Sequence, residues 1–148
     1  MGNICRSPAA QAILQYRVDQ QHLTEQYFID SAGTSAHFQG AAADPRMQQH
    51  AEKRGYTLSS ISRQFSVEDF DAFDLIIPMD DDNFFQLTYL DNRDQYTQKI
   101  KPLISFLPLN HHFPLQVPDP YLNGAQGFEE VLDMLQAACP YILKSLQS

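Results

Sequence analysis

Apolar and polar positions alternate along the chain in two distinct periods, and the switches between them outline the fold. From Ser7 onward, Ala10, Ile13, Leu14 and Val18 recur at three- and four-residue spacing behind a Ser and an early Pro8, which predicts a helix that starts directly after Arg6. Tyr27-Phe28-Ile29-Asp30-Ser31 reads instead as a short strand that ends at Ala32-Gly33. Pro45 opens a helix expected to run to Arg54-Gly55. Ser66-Val67-Glu68-Asp69 has the form of a capping box, and Leu75-Ile76-Ile77-Pro78-Met79 reads as a buried strand followed by an acidic helix start at Asp80-Asp81-Asp82. After proline-punctuated sequence, Phe128, Val131, Leu132, Leu135, Cys139, Ile142 and Leu143 fall on one face of a final helix. Strands alternating with helices predict an α/β fold, a parallel sheet covered by helices.

One element is missing from this plan. In open α/β sheets ligands bind beyond the carboxyl ends of strands, so a loop that leads into the first helix should be fed by a strand. Here the loop Gly2-Asn3-Ile4-Cys5-Arg6-Ser7-Pro8 comes first.

Composition narrows the functional classes. The 148 residues, 43% hydrophobic and 19% charged, suit one domain. Eighteen acidic against 10 basic residues give a net charge of −8, which opposes attraction to nucleic acid or an anionic membrane. No apolar run has the length of a membrane span, and the start lacks the order of a signal peptide. Cys5 and Cys139 have no spacing that suggests zinc or a disulfide framework, which favours a reducing, cytoplasmic setting. The Asp80-Asp81-Asp82 cluster is read as a helix start rather than a metal site.

The chemistry lies at the first loop. A short loop joined to a helix start lets backbone N–H groups converge on an anion with the helix dipole behind them. Arg6 adds a planar fork suited to phosphoryl oxygens, and Ser7 a hydroxyl able to hydrogen-bond a neighbouring thiolate.

Gly2-Asn3-Ile4-Cys5-Arg6-Ser7-Pro8 resembles the tail of the signature loop of low-molecular-weight protein tyrosine phosphatases. The resemblance extends through Asp30-Ser31-Ala32-Gly33-Thr34-Ser35, Asp44-Pro45-Arg46, Ser62-Arg63-Gln64, Phe73-Asp74-Leu75-Ile76 and Met79-Asp80. Pro118-Asp119-Pro120-Tyr121, followed by Gly127-Phe128-Glu129, is similar to the family's acid loop and last helix. It implies a single α/β domain over residues 1–148, with a four-stranded parallel sheet flanked by helices and the first strand absent from the chain.

The resemblance also implies a metal-free and cofactor-free two-step displacement at a phosphotyrosine-containing protein or a small aryl phosphate. A cysteine thiolate attacks phosphorus, Asp119 protonates the departing phenolate, and the same carboxylate then activates water against the cysteinyl phosphate. Gly2, Asn3, Ile4, Cys5, Arg6 and Ser7 form the phosphate-binding loop, with His37, Tyr121 and Leu122 lining the substrate. The family signature is a cysteine, five residues, then arginine and serine. Counting back from Arg6 passes Met1, so the signature nucleophile is not among these residues, and Cys5 corresponds to the family's second loop cysteine.

The expectation is therefore a start lying about ten residues further upstream, enough for a strand and the nucleophile. The literal chain is expected to be inactive and poorly folded. The alternatives are a non-catalytic phosphotyrosine-binding pseudo-phosphatase, a decayed remnant and an arsenate reductase of similar fold. The last needs further cysteines to pass a disulfide along, and no suitable second pair is present.

Overall fold

A computed structural model describes residues 5–147, apart from the side chain of Leu122. Gly2, Asn3 and Ile4 of the expected phosphate-binding loop, and the side chain of Leu122 in the expected substrate wall, lie outside the described residues. Among the described residues, five α-helices carry the regular structure: α1 (Arg6–Gln20), α2 (Pro45–Glu52), α3 (Glu68–Ala72), α4 (Asp81–Leu90) and α5 (Gly124–Gln147).

Their starts follow local chemistry. Asp44 caps α2 by accepting the Arg46 amide at 2.8 Å, with Pro45 in the first turn where no N–H is needed. Asp80 caps α4 by accepting the Asn83 amide at 2.8 Å. Ser7 is not the cap of α1: the helix begins one residue earlier, with Cys5 in the cap position and no side-chain hydrogen bond there. At Ser66 one half of the expected capping box forms, the Ser66 amide donating to Asp69 Oδ2 at 2.9 Å.

The apolar stripe of α5 is buried as its period predicts. Phe128, Val131, Leu132, Leu135, Cys139, Ile142 and Leu143 are all in the interior, and most of them pack with Ala9 and Ile13 of α1 and Met47 and Ala51 of α2. A smaller cluster gathers Phe70, Leu87 and Ile100, with the Tyr96 ring stacked on Phe70 at 4.9 Å.

The sheet differs from expectation. Among the described residues no strand forms. The predicted parallel pairing survives as two isolated bridges, Gly33 with Gln64 and Ile76 with Ile100, and Ala42 pairs antiparallel with Ile61. Leu75, Ile76 and Ile77, expected in a buried strand, are only half-buried. A strand, unlike a helix, satisfies its backbone only by pairing with another segment, and here each pairing is a single isolated bridge. Each of the segments 27–33 and 75–79 has a neighbour on one edge, and a groove separates the two.

Candidate active site

Arg6 sits in the first turn of α1, where helix geometry aims its side chain at the loops beyond the ends of the extended segments. Its guanidinium is almost buried. Nη1 donates to Asp80 Oδ2 at 2.7 Å and to the carbonyl of Val117 at 2.8 Å. One corner of the fork is anchored in this way, and Nε and Nη2 make no hydrogen bond to another described residue. Burial opposes ionisation of Asp80, but the Asn83 amide and the Arg6 guanidinium outweigh it and hold its carboxyl below the usual range.

Val117 brings in the acid loop. It is buried, its amide donates to the Met79 carbonyl at 2.9 Å, and its own carbonyl receives Arg6. Two residues later Asp119 is exposed, and its Oδ1 accepts the Tyr121 amide at 3.0 Å as the cap of the 3-10 turn Pro120–Leu122. Gly127 fixes how α5 passes this turn. A Cβ there would lie 2.5 Å from the Pro120 carbonyl oxygen, so only glycine admits the close approach.

Tyr121 ties the acid loop to the start of α1. The Cys5 thiol donates to Tyr121 Oη at 3.2 Å, and that hydroxyl donates to Asp44 Oδ2 at 3.3 Å. Arg46 locks Asp44 with two guanidinium hydrogen bonds and lies over the Tyr121 and Phe128 rings, 4.8 and 5.2 Å from their centroids. Burial pushes the Cys5 thiol up to about 11, only partly opposed by the hydrogen bond to Tyr121. The Tyr121 hydroxyl is raised as well, first by burial and then by its bond to Cys5.

The fold thus gathers Cys5, Arg6, Asp119 and Tyr121 from opposite ends of the chain. His37 is exposed and in edge contact with Phe38 at 4.6 Å, and among the described residues no ring contact joins it to Tyr121. Asp44, Arg46 and Asp80 take parts at the site that sequence reasoning had given only to helix starts and family blocks. Their signal was the Asp-Pro and triple-Asp caps, which say where a helix begins and not what lies next to it.

The model of the low molecular weight phosphotyrosine protein phosphatase family matches residues 1–148. The chain belongs to that family.

Among similar sequences, a putative low molecular weight protein-tyrosine-phosphatase of Synechocystis is 43% identical over 146 residues, covering 99% of this chain and 92% of the relative. The structure of the Entamoeba histolytica protein tyrosine phosphatase with Hepes in its active site superimposes with a TM-score of 0.91 at 43% identity, covering 99% of this chain and 92% of that one. A Drosophila arginine phosphatase shares the fold with a TM-score of 0.89 at 30% identity, covering 100% and 94%. The α/β single-domain fold of the phosphatase family is therefore that of this chain. Arg63 joins Asp30 at 3.0 Å to Asp69 at 2.9 Å, linking two of the matched segments to the start of α3.

Proposed function

We propose that the chain is the phosphoryl-binding and acid–base body of a protein tyrosine phosphatase, one domain spanning residues 1–148 with phosphotyrosine in a protein, or a small aryl phosphate, as substrate. The observation that carries this reading is Arg6, anchored through Nη1 on Asp80 and on the Val117 carbonyl of the acid loop. A guanidinium held in that way is pre-organised to take two phosphoryl oxygens and to follow them into a trigonal-bipyramidal transition state. Asp119, exposed on a loop stiffened by Pro118 and Pro120, would give its proton to the phenolate as the P–O bond breaks and then take one from the attacking water. Tyr121 would stack on the departing ring. His37 and Leu122 complete the proposed substrate wall.

Cys5 is not the attacking sulfur in this reading. Cys5 is buried, hydrogen-bonded to Tyr121 and pushed up to about 11, the opposite of an activated thiolate. The bond that forms is S–P and the bond that breaks is P–O(aryl). Water then cleaves S–P and returns the thiolate. This route needs no metal, since the guanidinium and loop amides supply the charge stabilisation. Two free, buried cysteines and the net charge of −8 favour a cytoplasmic protein without nucleic-acid or membrane partners. No helix among the described residues is long and apolar enough to cross a membrane.

The test has two arms. The 148-residue chain should bind phosphotyrosine without hydrolysing aryl phosphate, with Cys5→Ser changing neither result and Arg6→Ala weakening binding about 10- to 100-fold. A protein carrying an apolar strand that ends in cysteine directly before Met1 should hydrolyse phosphotyrosine, and Asp119→Asn should then lower kcat about 100-fold or more. Hydrolysis by the 148-residue chain that Cys5→Ser abolishes would refute the assignment. A preference of the extended protein for phosphoarginine would move the substrate class to that of the Drosophila neighbour.

A further inference from the structure

Helix α2 carries two residues one turn apart, Arg46 and His50, that both lie on Phe128: the His50 ring stacks on it at 5.3 Å, and the Arg46 guanidinium sits 5.2 Å from its centroid. The same guanidinium covers the Tyr121 ring at 4.8 Å, and the Tyr121 and Phe128 rings meet edge to face at 6.4 Å. Asp44 fixes its plane. Nε donates to Oδ1 at 3.2 Å and Nη2 to Oδ2 at 3.1 Å, a two-point grip on a carboxylate that is itself almost buried. Asp44 Oδ2 also accepts the Tyr121 hydroxyl at 3.3 Å. One carboxylate and one guanidinium therefore hold Tyr121 by its hydroxyl and by one face of its ring, while 43% of the residue stays exposed.

We propose that Arg46 is a positioning residue that sets the preference for aryl phosphates, holding the Tyr121 ring in the plane on which the substrate's phenol ring stacks, against the face opposite the guanidinium. The inference rests on the phosphatase reading and deepens it, because Arg46 acts through Tyr121 and touches neither the phosphoryl group nor the reacting atoms. A tyrosine in a short exposed turn can rotate about its side-chain bonds, and a ligand that stacks on it has to stop that rotation. Arg46 stops it in advance. Lysine could supply the charge, but it lacks the planar fork that grips both oxygens of Asp44 while lying flat on a ring.

Two roles for this guanidinium make different demands on a ligand. A plain positive charge near the site would strengthen every phosphate alike. A positioned ring strengthens only ligands that carry a ring of their own. The start of α2 does not depend on the choice of side chain, because Asp44 caps the helix through the Arg46 backbone amide.

The experiment titrates the 148-residue chain with phenyl phosphate and with inorganic phosphate and reads the ratio of the two affinities. The unaltered chain should favour phenyl phosphate. Arg46→Lys, which keeps a cation beside Asp44 and with it the fold, should lower the ratio about 3- to 10-fold, the range of one aromatic stacking contact. Tyr121→Ala should lower it by at least as much, and adding Arg46→Lys to Tyr121→Ala should change it no further. The proposal is overturned by a ratio near one in the unaltered chain, by a ratio that Arg46→Lys leaves unmoved, by equal weakening of both ligands, or by a further loss in the double variant. Arg6→Ala separates this outcome from the phosphatase reading, since it should weaken both ligands alike. If it weakens neither, the phosphoryl grip is wrong and this inference falls with it. If it weakens both while Arg46→Lys leaves the ratio unmoved, only the positioning role is lost.

Discussion

Two parts of this molecule with similarly apolar sequences reach different states of completion. Where α2 meets α5, Arg54 joins Glu129 at 2.7 Å and Asp133 at 2.9 Å, His50 is paired with the same glutamate, and Gln136 donates to Tyr56 Oη at 2.7 Å. Beneath that network Val131, Leu132 and Ala138 are wholly buried. In the sheet layer, Leu75, Ile76 and Ile77 remain half-buried beside a groove, and Phe28 is 80% exposed although its ring stacks on Phe73. A helix closes its hydrogen bonds within itself, so it needs only an apolar partner on one stripe. A strand needs another segment's backbone beside it, and apolar side chains alone cannot supply one.

The comparison can be broken by matched substitutions. Leu132→Ala in α5 should cost about 2–5 kcal/mol in urea unfolding, because a fully packed site leaves a cavity. Leu75→Ala should cost about 1 kcal/mol or less, since half of that side chain is already in solvent. Equal costs would mean that the sheet layer is as consolidated as the helical one.

The junction between the two parts is Gly127. Gly127→Ala forces a Cβ to within 2.5 Å of the Pro120 carbonyl oxygen and should cost about 1–3 kcal/mol, despite the better helix propensity of alanine. It should also displace Asp119, read as a larger loss of kcat than of stability in a protein that carries the nucleophile.

Removing the α2–α5 network by Arg54→Ala should cost about 1 kcal/mol, because Glu129 and Asp133 are substantially solvated and screening reduces each pair. High salt should shrink the difference.

The smallest effect is a pH dependence at the Arg6–Asp80 pair. Asp80 titrates lower folded than unfolded, so its contribution to stability is fully present above the unfolded value near 3.9 and is lost as pH falls through the lower folded value. Asp80→Asn should therefore flatten the acid limb of a stability profile measured from pH 6 to pH 2. An unchanged limb would place the acid sensitivity elsewhere, for example at Asp44 or Asp69, whose carboxyls are also held low.

Much of the fold is legible in single stretches of sequence. The α5 stripe, the Asp-Pro start of α2 and the acidic start of α4 are local signals, and each forms as read. The strands are not local in this sense. Tyr27–Ser31 and Leu75–Met79 have strand composition, but strand pairing is a relation between distant segments, and here each finds a partner on one edge. The candidate site divides in the same way. Arg6 and Asp119 stand out because their neighbours along the chain resemble a family. The Cys5–Tyr121–Asp44–Arg46 chain of contacts, spanning 116 positions at its widest, has no one-dimensional signature.

The sequence by itself determined the helices and the phosphatase family, and it singled out Arg6 and Asp119 as the proposed phosphate-gripping and acid residues, because these rest on periodicity, capping and short motifs. It also determined that Cys5 is not in the signature nucleophile's position, a matter of counting from Arg6. Only the tertiary structure decided that Cys5 is a buried thiol hydrogen-bonded to Tyr121, that Arg6 is anchored by one nitrogen on Asp80 and the Val117 carbonyl, and that a groove runs between two apolar segments. Burial, hydrogen-bond direction and the filling of space are properties of pairs of surfaces, and a surface exists only once the chain has folded.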